Sequence, residues 1–196
     1  MSEIADTKTI LTLPIKTRRL VIREYTENDW QAVYAYVKDP IYWKFQAGEP
    51  PTEDRIRAMM EWTVREQSLS PRINYFLAAT DAQSGKIIGE AVLKVVPPGH
   101  GQGDIGFGIV PSQWEKGYAT EIASALLSVG FNSLKLNRIA AQCAPENKDS
   151  IRVMQKLGMA REGLLREHYH AGGKYWSSVI YAILAREYER IITKKM

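Results

Sequence analysis

Residues 105–121, IGFGIVPSQWEKGYATE, make a strand pass through a tight turn and straight into a helix. Gly117 lets the backbone reverse sharply, and from Tyr118 to about Leu134 the apolar residues Ile122, Ala125, Leu126, Val129 and Phe131 fall on one face of a 3.6-residue period. Gly106 and Gly108 strip side chains from the strand, which suits a bulge or a close backbone approach. Something can dock against such a strand.

The rest of the chain supplies what that unit packs against. Residues 20–23 read as a first strand, and residues 1–18 show no period and read as a flexible N-terminal tail. Thr26 and Asp29 resemble a capping box ahead of a helical face of Trp30, Val33, Tyr34 and Val37, which Asp39-Pro40 ends. Pro51-Thr52 opens a second helix carrying Ile56, Met59, Met60 and Val64. Residues 75–79 and 87–96 form a hairpin, and the glycine and proline cluster at 97–103 is a loop. Residues 104–110 and 138–143 are strands, and residues 147–157 are a helix that Gly158 closes. Two final strands, 163–169 and 175–184, flank a turn at Gly172-Gly173. The order predicts an α/β (α+β) chain: a mixed sheet with helices packed against it, forming one domain over residues 1–196.

Composition excludes several alternatives. With 45% apolar and 24% charged residues the chain is neither disordered nor fibrous. Cys143 is the single cysteine, so no internal disulfide can form, and a reducing, cytoplasmic setting is expected. No apolar run approaches the roughly 18 residues of a membrane span. The net charge of +4 suits a small anionic ligand and gives little reason to expect nucleic acid. His168 and His170 share a strand face but lack a third ligand, so no metal is expected. Gly101 to Gly106 spells the G-x-G-x-x-G pattern with a strand after it instead of a helix, which makes the match accidental. Cys143 has no histidine paired with it in sequence and reads as a structural thiol.

The chemistry concentrates at the turn before Tyr118. Lys116, Gly117, Tyr118, Ala119 and Thr120 would present successive backbone N–H groups at the positive end of a helix, a fitting seat for a diphosphate. A plain turn with a solvated lysine gives part of the same pattern. This segment, together with Asn147 to Met159 and Glu162-Gly163, resembles the GCN5-related N-acetyltransferase (GNAT) superfamily, and within it the RimJ/RimL-like group. The likeness spans most of the chain, from Thr17-Arg18-Arg19-Leu20 to Tyr181-Ala182.

The resemblance implies the GNAT fold, a mixed, mostly antiparallel sheet of six to seven strands splayed at the centre with helices on both faces, and acetyl-CoA as co-substrate without a metal. It places the pyrophosphate loop at Trp114, Glu115, Lys116, Gly117, Tyr118, Ala119 and Thr120, with Glu115 turned to solvent because a carboxylate repels phosphate. It pairs the backbone of Ile109 and Val110 with the pantetheine arm and sets Asn147 and Ser150 near the thioester. It makes Asp104 the candidate base, alternatively an ordinary solvated aspartate, and the Val110 N–H the candidate oxyanion donor. Met154 stands where many members carry an acid-donating tyrosine, which leaves Ser150 to bond the sulfur or to serve the helix start. The acceptor expected is an amine, either a protein N-terminus or a small molecule, met by loops at residues 43–51 and 167–176. Ser177 stands four residues before Tyr181, where an aspartate is frequent in the group. A non-catalytic acyl-CoA sensor on the same fold is the alternative, and an exposed last strand is able to pair across a homodimer.

Overall fold

The computed structural model describes residues 11–96 and 99–193. Eight strands form one sheet in the order β1-β2-β3-β4-β5-β6-β8-β7. They are β1 (Ile15–Lys16), β2 (Leu20–Glu24), β3 (Asn74–Asp81), β4 (Ile87–Val95), β5 (Gln102–Ile109), β6 (Arg138–Cys143), β7 (Ala160–Ala171) and β8 (Lys174–Leu184). The helices are α1 (Trp30–Val37), α2 (Glu53–Glu66), α3 (Tyr118–Asn132), α4 (Lys148–Lys156) and α5 (Ala185–Thr193). One strand more than the upper expectation is present because residues 15–16 pair with 21–22. The expected tail is therefore folded from residue 11 onward, with Leu11 buried, while residues 1–10 lie outside the described residues. Helix α5 was not expected. Its Tyr188 lies against Phe131 with ring centroids 4.8 Å apart, and the Glu187 carboxylate accepts from the Leu184 N–H.

Every neighbouring pair of strands is antiparallel except β5 and β6. A parallel pair needs a crossover, and α3 supplies it. That pairing spans only residues 102–104 against 138–140, after which the two strands diverge. A gap therefore opens beside the second half of β5.

Two apolar clusters cover the two faces. Leu20, Leu77, Leu93, Ile122, Leu126 and Ile139 form the larger one under α3. Val33, Tyr36, Ile56, Met60 and Ala78 form the other under α1 and α2. Burying a side chain of this size stabilises the fold by roughly 1.5–3 kcal/mol. The alternation along β5 follows from this arrangement: Ile105 and Ile109 enter the α3-side core, while Asp104, Gly106 and Gly108 face the other way. Among the described residues no helix is long and apolar enough to cross a membrane.

Candidate active site

A cleft of about 490 Å³ opens where β5 and β6 part. Its walls are Phe107 and Ile109 from β5, residues 113–115 and 117–119 from the turn and the start of α3, and Asn147, Ser150 and Val153 at the start of α4. Ile41, Tyr42, Phe45 and Gln46 close it on the remaining side. Of the expected cofactor residues, the cleft gathers Ile109, Trp114, Glu115, Gly117, Tyr118, Ala119, Asn147 and Ser150. Lys116 and Thr120 adjoin it in sequence without lining it, and Val110 and Asp104 do not line it.

The start of α3 is bare. Gly117 precedes it with φ +79°, a left-handed conformation that glycine takes without strain, and offers no side chain to cap the helix. Glu121 N–H is the first to bond back, to Gly117 O. The amides of Tyr118, Ala119 and Thr120 have no protein acceptor among the described residues. Glu115 is exposed and also left-handed, with φ 62°. The turn is braced from outside. Arg19 NH1 donates to Lys116 O at 2.8 Å, its Nε donates to Glu121 Oε2 at 2.7 Å, and its guanidinium lies 4.2 Å from the Tyr118 ring centroid. Thr17 Oγ1 and the Arg19 N–H donate to Glu121 Oε1. Burial alone would raise the Glu121 carboxyl, but these donors outweigh it and hold the group below the ordinary glutamate range. The Lys116 ammonium donates to Ser112 O and Gln113 Oε1, which keeps its charge beside the turn.

The start of α4 is closed by its own chain. Asn147 Oδ1 accepts from the Ser150 N–H at 3.1 Å, so Asn147 caps the helix. The Ser150 hydroxyl takes no part in that cap and has no hydrogen-bond partner among the described residues. Met154, one turn on, is 1% exposed and belongs to the core. Cys143 is half-buried, and burial pushes its thiol up to about 11, which fits the structural reading.

The strand register corrects the candidate oxyanion donor. Val110 N–H donates to Ile88 O at 2.9 Å and is therefore spent within the sheet. Bonded and non-bonded pairs alternate in an antiparallel ladder, so Glu90 and Gly108 form the next bonded pair, while Phe107 and Ile109 turn their amides away from β4. They turn toward the gap. Ile109 O accepts from Trp114 Nε1 at 2.7 Å, which leaves its N–H as the donor at that point. Asp104 matches the alternative given for it, an ordinary solvated aspartate near the start of its strand, and not the base. It is exposed, sits between Lys94 and Ala140, and lies five residues, about 17 Å of extended chain, from Ile109.

The two loops expected to meet the acceptor, 43–51 and 167–176, come together beside the cleft. A second cavity of about 440 Å³ is lined by Phe45, Gln46, Ala47, Gln142, Cys143, Ala144, His168, Tyr169 and Ser178, and it shares Phe45 and Gln46 with the cleft. His168 and Tyr169 reach it at an irregularity in β7, where Glu167 has φ 45° and its N–H donates to Ser177 Oγ at 2.9 Å. Sequence reasoning missed Glu90, whose Oε1 accepts from the Tyr42 hydroxyl at 3.0 Å.

Comparison with known proteins agrees with this geometry. A family model described as an acetyltransferase (GNAT) domain matches residues 19–160. An uncharacterized N-acetyltransferase of Bacillus subtilis, YnaD, is 36% identical over 174 residues, which is 89% of this chain and 98% of that protein. A second Bacillus subtilis protein, the putative ribosomal N-acetyltransferase YdaF, is 27% identical over 149 residues, 75% of this chain and 79% of the relative. The crystal structure of a GNAT-family acetyltransferase from Bacillus anthracis superposes with a TM-score of 0.77 at 34% identity, covering 88% of this chain and 99% of that one. With a splayed sheet, an open helix start beside the gap and these relatives, the chain belongs to the GNAT superfamily and is an acyl-CoA-dependent N-acetyltransferase.

Proposed function

We propose that the chain moves the acetyl group of acetyl-CoA to a primary amine by direct attack within a ternary complex. The observation that carries this reading is the uncapped start of α3 at the mouth of the cleft. Its amides and the turn from Trp114 to Thr120 hold the diphosphate, with the charges of Lys116 and Arg19 nearby. The pantetheine arm runs beside Phe107 and Ile109 as an added strand would, and the thioester reaches the gap opposite Ser150. Ile109 N–H takes the role first given to Val110, polarising the thioester carbonyl, and the Ser150 hydroxyl bonds the departing sulfur.

The acceptor enters from the second cavity, which meets the cleft at Phe45 and Gln46. Among the described residues lining that cavity there is no carboxylate, lysine or arginine. This favours an acceptor whose body is uncharged apart from the reacting amine, such as a peptide N-terminus, over a polyamine.

Calorimetric titration with acetyl-CoA followed by thiol release over peptides, amino sugars and polyamines tests the reading. Saturable binding with turnover on at least one amine supports it. Binding without turnover on any class would favour the sensor, and no binding at millimolar acetyl-CoA would reject both.

A further inference from the structure

A primary amine is an ammonium ion at neutral pH, so attack needs a group that accepts its proton close to the gap. The charged acids on the cleft wall do not stand there. Glu115 and Asp149 are exposed beside the phosphate turn and the α4 start, and Asp104 stands in solvent at the distant end of β5. One carboxylate does approach the gap from behind. Glu90 is the register partner of Gly108, next to Ile109, and both point to the α1 and α2 face. A methyl group at Gly108 would fall 2.8 Å from Glu90 Oε1 and collide with the Tyr42 hydroxyl. The missing side chain is therefore what admits both groups. Tyr42 lines the cleft, and its hydroxyl donates to Glu90.

Resting on the transferase reading above, we propose that Tyr42 and Glu90 form the proton exit: Tyr42 Oη takes the proton of the acceptor amine while its own proton passes to Glu90 Oε1. The freed nitrogen lone pair then forms the C–N bond at the thioester carbon. As the C–S bond breaks, the sulfur leaves with the electron pair and receives the second nitrogen proton. Glu90 returns its proton to solvent, which closes the balance as one amide, one thiol and one released proton.

The surroundings fit a proton acceptor. Glu90 faces Tyr42 from the turn after α1, Tyr36 from α1 and Tyr25 after β2, while the flanking strands offer only Ala78 and Gly108. Tyr36 and Tyr42 meet edge to face at 5.1 Å, and the Tyr36 hydroxyl has no partner among the described residues. Burial raises the Glu90 carboxyl above the ordinary glutamate range, against the lowering effect of the Tyr42 hydrogen bond, and so increases its proton affinity.

The test compares Glu90→Gln and Tyr42→Phe with the unaltered protein on the fastest amine of the panel. Glu90→Gln keeps the shape and an acceptor for the Tyr42 hydroxyl. Expected are acetyl-CoA affinities within threefold, a kcat about 100-fold lower in each variant, and loss of the acidic limb of the kcat–pH profile in Glu90→Gln. If Glu90→Gln instead binds acetyl-CoA normally and keeps kcat within threefold with the limb in place, the proton exit is wrong while the transferase reading stands. If the unaltered protein turns over no amine, both are wrong.

Discussion

Two helices open onto the same cleft and begin in opposite ways. At α4 the chain satisfies itself, because Asn147 accepts from the Ser150 amide. At α3 it does not: Gly117 has nothing to cap with, and three amides face outward while Arg19 and Glu121 hold the turn from behind. An N-cap is worth about 1 kcal/mol, so leaving it out beside a cleft costs stability that a bound anion can restore. The difference separates a helix start that holds the fold together from one that the proposed function reserves for a ligand.

A change that plugs the open start gives the largest effect. Ala119→Glu brings a carboxylate to the proposed diphosphate seat and should weaken acetyl-CoA binding by about 100-fold with thermal stability nearly unchanged, as read by calorimetry and a melting curve. Loosening the brace comes next. Arg19→Ala removes the tie to Lys116 O and the partner of Glu121, and should weaken binding by about 10-fold and stability by about 1 kcal/mol. Its pH dependence has a definite sign. The Glu121 carboxyl is depressed in the folded protein, so the stability advantage of the native protein over Arg19→Ala is full above the unfolded glutamate value of about 4.3. It is lost as pH falls through the lower folded value, which denaturant melts from about pH 6 to pH 3 would show. The smallest effect on the ligand belongs to the closed start. Asn147→Ala should cost about 1 kcal/mol of stability and less than threefold in acetyl-CoA affinity; a loss matching that of Ala119→Glu would erase the contrast.

What the sequence made legible was local. The strand, turn and helix around Gly117 lie within one continuous stretch, and the Asn147 start and Gly158 stop of α4 are written in neighbouring residues. What it hid depends on register and distance. That Val110 spends its amide on Ile88 follows from how β4 and β5 align. The Tyr42–Glu90 contact joins residues 48 positions apart, with Gly108 making room from a third segment. Expecting Gly106 and Gly108 to receive something was sound at Gly108, where the visitor is the protein's own tyrosine. Helix α5 had a faint signal, Tyr188, Ile191 and Ile192 at helical spacing, but it follows β8 without a break and its first turn is fixed by Glu187 reaching back to Leu184. Residues 15–16 carry no periodicity at all, and only the neighbouring strand makes them β1.

Amide hydrogen exchange with and without acetyl-CoA tests the central claim most directly. The Tyr118, Ala119 and Thr120 amides should exchange rapidly in the free protein and become protected on binding, while the Ser150 amide is protected in both states. Saturation with acetyl-CoA that leaves those three amides exchanging as before would contradict the account.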